Sequence, residues 1–403
     1  MSLRRNIDFI RTDYMLLSAV LFLVVLGLAS VWSATSYRAD AVFDDSGKYA
    51  REQAIRVFIG LVLMIVIATR DYRLWLAWSP LAFGAGTVAL LILAARVPYL
   101  TVTQNGSWGW MRLGPIVFQP SDFARYALIL LLARLITKKR GKLDDLFPDY
   151  AMVFGIAAAT TALIALEHDM GGAFMTILVA LLMLFFAQVP IRNLLLSALS
   201  LASGAFAYVM INPYMQKRLS EFSDDKKGGF QLTQSLTGLA QGGLFGQGIG
   251  DSHQKYNFLP MNHNDFIFAH IGEEYGLIGT VGVLVLFIII VNRGIRIAQH
   301  APDGYGRLLA GGITACIGSY ALINAMVVTG MMPTTGIPMP FLSYGGTSMV
   351  THFIGIGFLL NISSQTDPAF AKAPMWQTYQ ERLNRVAYKA GSYMVRKVGS
   401  RIR

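Results

Sequence analysis

Asp265 opens an apolar run long enough to span a bilayer. It closes a polar, glycine-rich stretch in an otherwise oily chain, where 230–276 reads FQLTQSLTGLAQGGLFGQGIGDSHQKYNFLPMNHNDFIFAHIGEEYG. An ionisable side chain at membrane depth is costly unless buried in protein or wetted, so it reads first as functional. At a helix N-terminus the dipole favours its anion, a ready base or cation ligand rather than a protonated acid. At about 100° per residue, Asp265, Ala269, Gly272, Gly276 and Gly279 lie within about 40° of one line. That small-residue stripe predicts either close helix packing or a furrow with the acid at its mouth. Glu273 lies about 80° off the line and Glu274 on its far side, while His270 and Glu274, four apart, predict a structural pair.

Two arginines are the singular cations. Arg112 lies in NGSWGWMRLG, 105–114, which reads as an interfacial re-entrant or amphipathic element with Trp108 and Trp110 at headgroup level. Its guanidinium either snorkels to the interface or forks the oxygens of a phosphate. Gln119-Pro120-Ser121-Asp122 then reads as a helix start, with Asp122 complementing the dipole. Arg125, one turn further in, is too deep for a routine flanking positive and calls for a carboxylate or phosphate partner. Glu167, His168 and Asp169 interrupt two apolar runs. Adjacent helical residues point different ways, so a metal site from this triplet is disfavoured, and a broken helix whose acids answer Arg112 or Arg125 is expected. The glycines of 242–250 lack the strand–turn–helix setting of a nucleotide fingerprint and read as a tightly turned loop. Pro333, Gly336, Pro338 and Pro340, with Ser343 to Gly346, predict a structured loop that re-enters the protein.

Membrane helices must position these groups. The 403 residues are 54% hydrophobic and only 14% charged, with a mean hydropathy of +0.49, which excludes an ordinary soluble domain. Apolar runs fall at 15–34, 54–69, 74–96, 122–137, 149–166, 172–189, 193–212, 265–291, 307–330 and 344–362. The expected fold is an all-α polytopic membrane protein of about ten transmembrane helices. The first run is long enough to remain as a membrane helix and lacks a following A-x-A cleavage site. Lys and Arg in the connections place both termini in the cytoplasm. A large extracytoplasmic loop, 213–264, then joins helices 7 and 8, and the chemistry lies on the outer face. Residues 1–364 read as the membrane domain, and 365–403 as a basic cytoplasmic tail resting on the anionic inner leaflet. Cys316 is the sole cysteine and excludes an internal disulfide. The net charge of +11 follows topology rather than nucleic acid, since no basic motif with interleaved aromatics is present.

Several segments together resemble the SEDS family (shape, elongation, division and sporulation) of peptidoglycan glycosyltransferases. They are NG-x-x-x-W-x-R-x-G with Q-P-S-acid at 105–122, acid-x-G at 169–171 and F-Q-L-x-Q-S-L with GG-x-x-G-x-G-x-G at 230–250. L-P-x-x-H-x-DFIFA-x-IGEE-x-G at 259–276 and M-P-x-TGIPMPFLSYGG at 332–346 complete the set in the family's order. Q-K-x-x-x-LP at 254–260 and the FLLNIS ending lean toward the division (FtsW-like) branch over the elongation (RodA-like) one. The departures are Met261 for the usual Glu, Asn264 for Thr, Arg125 for Lys, Asp122 for Glu and His168 for Pro.

The resemblance implies an enzyme of the plasma (inner) membrane that polymerises lipid II onto a nascent glycan strand. It forms β-1,4 bonds with inversion and releases undecaprenyl pyrophosphate. Asp265 matches the family's essential aspartate and is the expected base, or the group orienting the acceptor hydroxyl. Arg112 and Arg125, with Lys255 as a weaker candidate, are expected to clamp the pyrophosphate, and Asp122, Gln231 and Ser235 join them as substrate-binding candidates. Hard cations take oxygen ligands, so a divalent ion, Mg or Mn, bridging phosphate to Asp265 is admitted. The implied partners are a class B penicillin-binding protein and proteins of the divisome or elongasome. The alternative is a lipid II flippase, which needs a polar path to the inner side that the spans do not offer. A catalytically dead scaffold that recruits a transpeptidase is the third reading, kept open by Met261.

Overall fold

The computed structural model describes residues 12–104, 107–139, 143, 146–211, 216, 230–252 and 264–366. Every apolar run falls on a helix: α1 Tyr14–Phe43, α2 Lys48–Ala68, α3 Tyr72–Ala94, α4 Pro120–Lys138, α5 Ala151–Leu166, α6 Met170–Phe186 and α7 Ile191–Ile211. After α8, Phe230–Gly242, come α9 Ile267–His300, α10 Gly304–Val328 and α11 Thr347–Ser364. Six of them (α1, α3, α5 with its preceding turn, α7, α9 and α10) are long and apolar enough to cross a bilayer. The chain is a multi-pass membrane protein. The basic tail, Lys255 and Met261 lie outside the described residues.

The sequence sets where the helices start. Asp13, Asp71, Asp169 and Asp303 each precede a helix, and each carboxylate accepts a backbone N–H of the first turn. Pro120 opens α4, where its missing N–H leaves nothing unsatisfied. Helices α4, α10 and α11 form the centre, buried along nearly their whole length. Helix α7 is peripheral, burying only Asn193, Leu194 and Ser197. Leu195, Leu199 and Phe206 on α7 are exposed, as are Phe22, Val25 and Trp32 on α1, which suits a lipid-facing surface.

Two expectations change here. The described residues of 101–118 are not helical. They form a three-stranded antiparallel sheet, β1 Thr101–Gln104, β2 Ser107–Leu113 and β3 Ile116–Phe118, in the order β1-β2-β3. Val102 pairs with Trp110, and Met111 with Phe118. Among the described residues the fold is therefore helical with one small sheet.

The second change concerns α9. Asp265 sits in the turn before it, and the helix breaks at Gly276 (φ 66°, ψ −162°), a conformation that favours glycine. The amides of Leu277 and Ile278 bond not to the preceding turn but to the carbonyls of Gly243 (2.9 Å) and Leu244 (3.3 Å). One helical wheel therefore does not run from Asp265 to Gly279. The expected furrow is also filled: Leu239 of α8 packs on Gly272, and a Cβ at Gly242 would strike the Gly272 carbonyl. The small stripe is a packing face for α8, so the close-packing alternative holds.

Candidate active site

The stretch 331–346 between α10 and α11 is met by α2, α6 and α10 and by the turn before α9. Asn324 of α10 holds it from below, its side-chain amide donating to the carbonyls of Asp265 (2.7 Å) and Ile337 (2.8 Å). The Asp265 carboxylate is half-buried and stands beside Gly336, where an added Cβ would lie 3.7 Å from Oδ2. On the opposite side the stretch presses on α6. A Cβ at Gly171 would meet the Thr335 carbonyl at 2.3 Å, so this close approach requires glycine.

The far end of the stretch is fastened to α2 and α4. Gln53 donates to the Ser343 carbonyl (3.0 Å), and the Gln119 amide donates to the Thr347 hydroxyl (2.8 Å). The Tyr344 hydroxyl donates to Glu52, and the Arg56 guanidinium lies 4.5 Å from the Tyr344 ring centroid. One Arg56 terminal nitrogen is buried with no hydrogen-bond partner among the described residues. Arg56 and Glu52 were not singled out by sequence reasoning. The signal was a cation within the first turns of an apolar run, the same signal that drew attention to Arg125.

Arg125 itself is 2% exposed, and its donors are taken up by protein. Nε bonds Thr176 (3.1 Å), one terminal nitrogen bonds Asp122 (3.0 Å) and the Tyr320 hydroxyl, and the other bonds the Gly172 carbonyl (3.1 Å). The partner that Arg125 calls for is thus Asp122, itself buried. This geometry revises the phosphate-clamp reading of Arg125 and the substrate-binding reading of Asp122, because the fork already closes α4 onto α6 and α10. Below it Tyr126 bonds His352 (2.8 Å), extending a sealed polar core.

The remaining candidates separate. Arg112 projects from β2, exposed, and makes no ion pair among the described residues, so its cation is available. Ser235 on α8 is buried and donates to the Val328 carbonyl (2.9 Å), which fixes α8 to the end of α10 rather than facing a substrate. Gln231, in the first turn of α8, is half-buried. Asp169 caps α6 and accepts from Gln119 (2.9 Å), so it answers neither arginine directly. Glu167 is buried and answers neither as well.

Glu273 and Glu274 hold the glycine loop, as a structural role predicts. Glu274 lies 3.3 Å from His270 and accepts from Ser33 and from the Gly250 amide (2.9 Å). Ser252 donates to Glu273. No group of three His, Cys, Asp or Glu able to hold a metal occurs among the described residues. A magnesium-like ion nevertheless needs only one or two carboxylates when phosphates supply other ligands, so Asp265 suits that arrangement.

Residues 14–367 match the FtsW/RodA/SpoVE family of cell cycle proteins. Stage V sporulation protein E of Bacillus subtilis is 37% identical over 355 residues, covering 87% of this chain and 96% of its own. The probable peptidoglycan glycosyltransferase FtsW of Geobacter sp. is 37% identical over 358 residues, covering 88% and 97%. Among solved structures, the rod shape determining protein RodA of Thermus thermophilus superposes with a TM-score of 0.63 at 26% identity, covering 88% of this chain and 98% of its own. A chain of a peptidoglycan synthase complex that coordinates polymerisation and crosslinking shares the fold, with a TM-score of 0.73 at 24% identity, covering 88% and 99%. With a family match over residues 14–367 and a polar site assembled by 331–346, this chain belongs to the FtsW/RodA/SpoVE family.

Proposed function

We propose that the chain is a peptidoglycan glycosyltransferase that polymerises lipid II on the outer face of the plasma membrane. The carrying observation is Asp265, a half-buried aspartate in a turn whose backbone is fixed by Asn324 and which lies beside Gly336. The acceptor sugar hydroxyl attacks the anomeric carbon of the growing chain, and the bond to undecaprenyl pyrophosphate breaks with inversion. Asp265 takes the hydroxyl proton or orients the hydroxyl for attack. Arg112, exposed on β2, and Arg56, with one terminal nitrogen unpartnered among the described residues, are the cations assigned to the leaving pyrophosphate. A divalent ion, when bound, would be held by Asp265 with substrate phosphate and would neutralise developing charge.

The names of the sporulation and FtsW relatives support a role in division or sporulation. The synthase-complex neighbour supports a class B penicillin-binding protein as partner. The Lys and Arg distribution supports cytoplasmic termini. A flippase is disfavoured, since the polar core around Arg125 is closed by its own hydrogen bonds and offers a headgroup no passage. The test is polymerisation of purified lipid II, resolved on gels, with and without the partner. Asp265→Ala that folds and keeps full activity overturns the catalytic reading.

A further inference from the structure

Glu167, between α5 and α6, has no exposed surface, and neither carboxyl oxygen has a hydrogen-bond partner among the described residues. A buried carboxylate without a partner is unfavourable, so such a group holds its proton. Burial, with the nearby charge of Asp169 adding to it, pushes the acid up to about 9.

The sheet rests on this residue. The Glu167 carbonyl accepts from the Trp108 amide (3.3 Å) and the Ser107 hydroxyl (2.7 Å), and the Leu166 carbonyl accepts from the Trp108 indole (3.2 Å). Oε2 would lie 3.3 Å from a Cβ at Gly109, so β2 passes directly over the carboxyl. Trp108 is held between the Arg96 guanidinium, 3.6 Å from its ring, and the His168 ring at 4.3 Å. Beyond Arg96 and His168, the charged groups on the packed elements are Asp169, Arg112 on β2, and the Asp122–Arg125 pair at the start of α4. None of them forms an ion pair with Glu167.

We propose that Glu167 is a proton-controlled latch: as the neutral acid it lets β2 dock on the α5–α6 connection, and its ionisation releases the sheet. Release would displace Arg112 with β2 and loosen the sheet's lead into α4 at Gln119. Glu167 is a positioning residue in this scheme, and only this functional consequence rests on the proposed polymerase reading. The acid is raised in the docked state, so its contribution to docking is complete below the ordinary value of 4.5 and is lost as pH rises toward about 9.

Hydrogen exchange of residues 101–118 in the purified full-length protein, corrected for intrinsic rates, reads the latch without lipid II. Protection is expected to fall by up to about tenfold per pH unit between those limits and to level off above them. Glu167→Gln keeps the shape without the ionisation and is expected to show flat protection; Glu167→Met serves the same purpose should the amide impair folding. A flat wild-type profile, or a wild-type slope in either variant, overturns the latch. Lipid II polymerisation followed over the same pH range tests the polymerase reading separately. Loss of wild-type activity with pH that Glu167→Gln abolishes supports the coupling.

Discussion

Asp122 and Asp265 both stand at the start of a helix, and their surroundings are opposite. Asp122 is closed in by the Arg125 fork, with Tyr320, Thr176 and the Gly172 carbonyl completing the cage. Asp265 is held by its backbone, through Asn324, while its carboxylate stays half-open beside a glycine. A charge satisfied by side chains joins helices. At Asp265 the anchor from Asn324 is on the main chain, and the residue is only half-buried.

The contrast predicts different readouts. Asp265→Asn is expected to lower polymerisation by about 10²–10⁴-fold with an unchanged melting temperature; a loss of stability instead would make it a second structural acid. Arg125→Ala leaves Asp122 buried and unpaired and is expected to destabilise the protein by about 3–5 kcal/mol in thermal unfolding. A stable Arg125→Ala protein that has lost only lipid II binding would erase the distinction. Asn324→Asp keeps the shape but removes the donors to Asp265 and Ile337, and is expected to cost about 1–3 kcal/mol together with much of the activity. The smallest effect is expected at Gly336 (φ 71°), where alanine costs about 1–2 kcal/mol of backbone strain. Its Cβ beside the Asp265 carboxylate should raise KM more than it lowers kcat.

The helices were legible because a bilayer demands about 20 apolar residues, and every such run is a helix. The start of α4 at Pro120 was legible as well, whereas the aspartates that cap α1, α3, α6 and α10 were not read as helix starts. The sheet was missed because tryptophans and glycines in 105–114 suggested an interface. The available signal was the Asn105-Gly106 dipeptide between two β-rich segments, since such pairs favour hairpins, and Gln104 does pair with Ser107. Arg125 was recognised as needing a partner, but its sequence cannot distinguish phosphate from Asp122, Thr176 and Tyr320, which converge only in space. The furrow failed for a related reason: a helical wheel assumes an unbroken helix, and the amides after Gly276 bond to a distant loop.

That break has a mechanical consequence. Bilayers of different thickness are accommodated by helix tilt, and an unbroken α9 would act as a lever on Asp265. The ladder of α9 is interrupted at Gly276, and the joint is fastened by the Gly243 and Leu244 carbonyls beside α8. Asp265 and the segment 277–300 therefore do not share one continuous helical hydrogen-bond ladder.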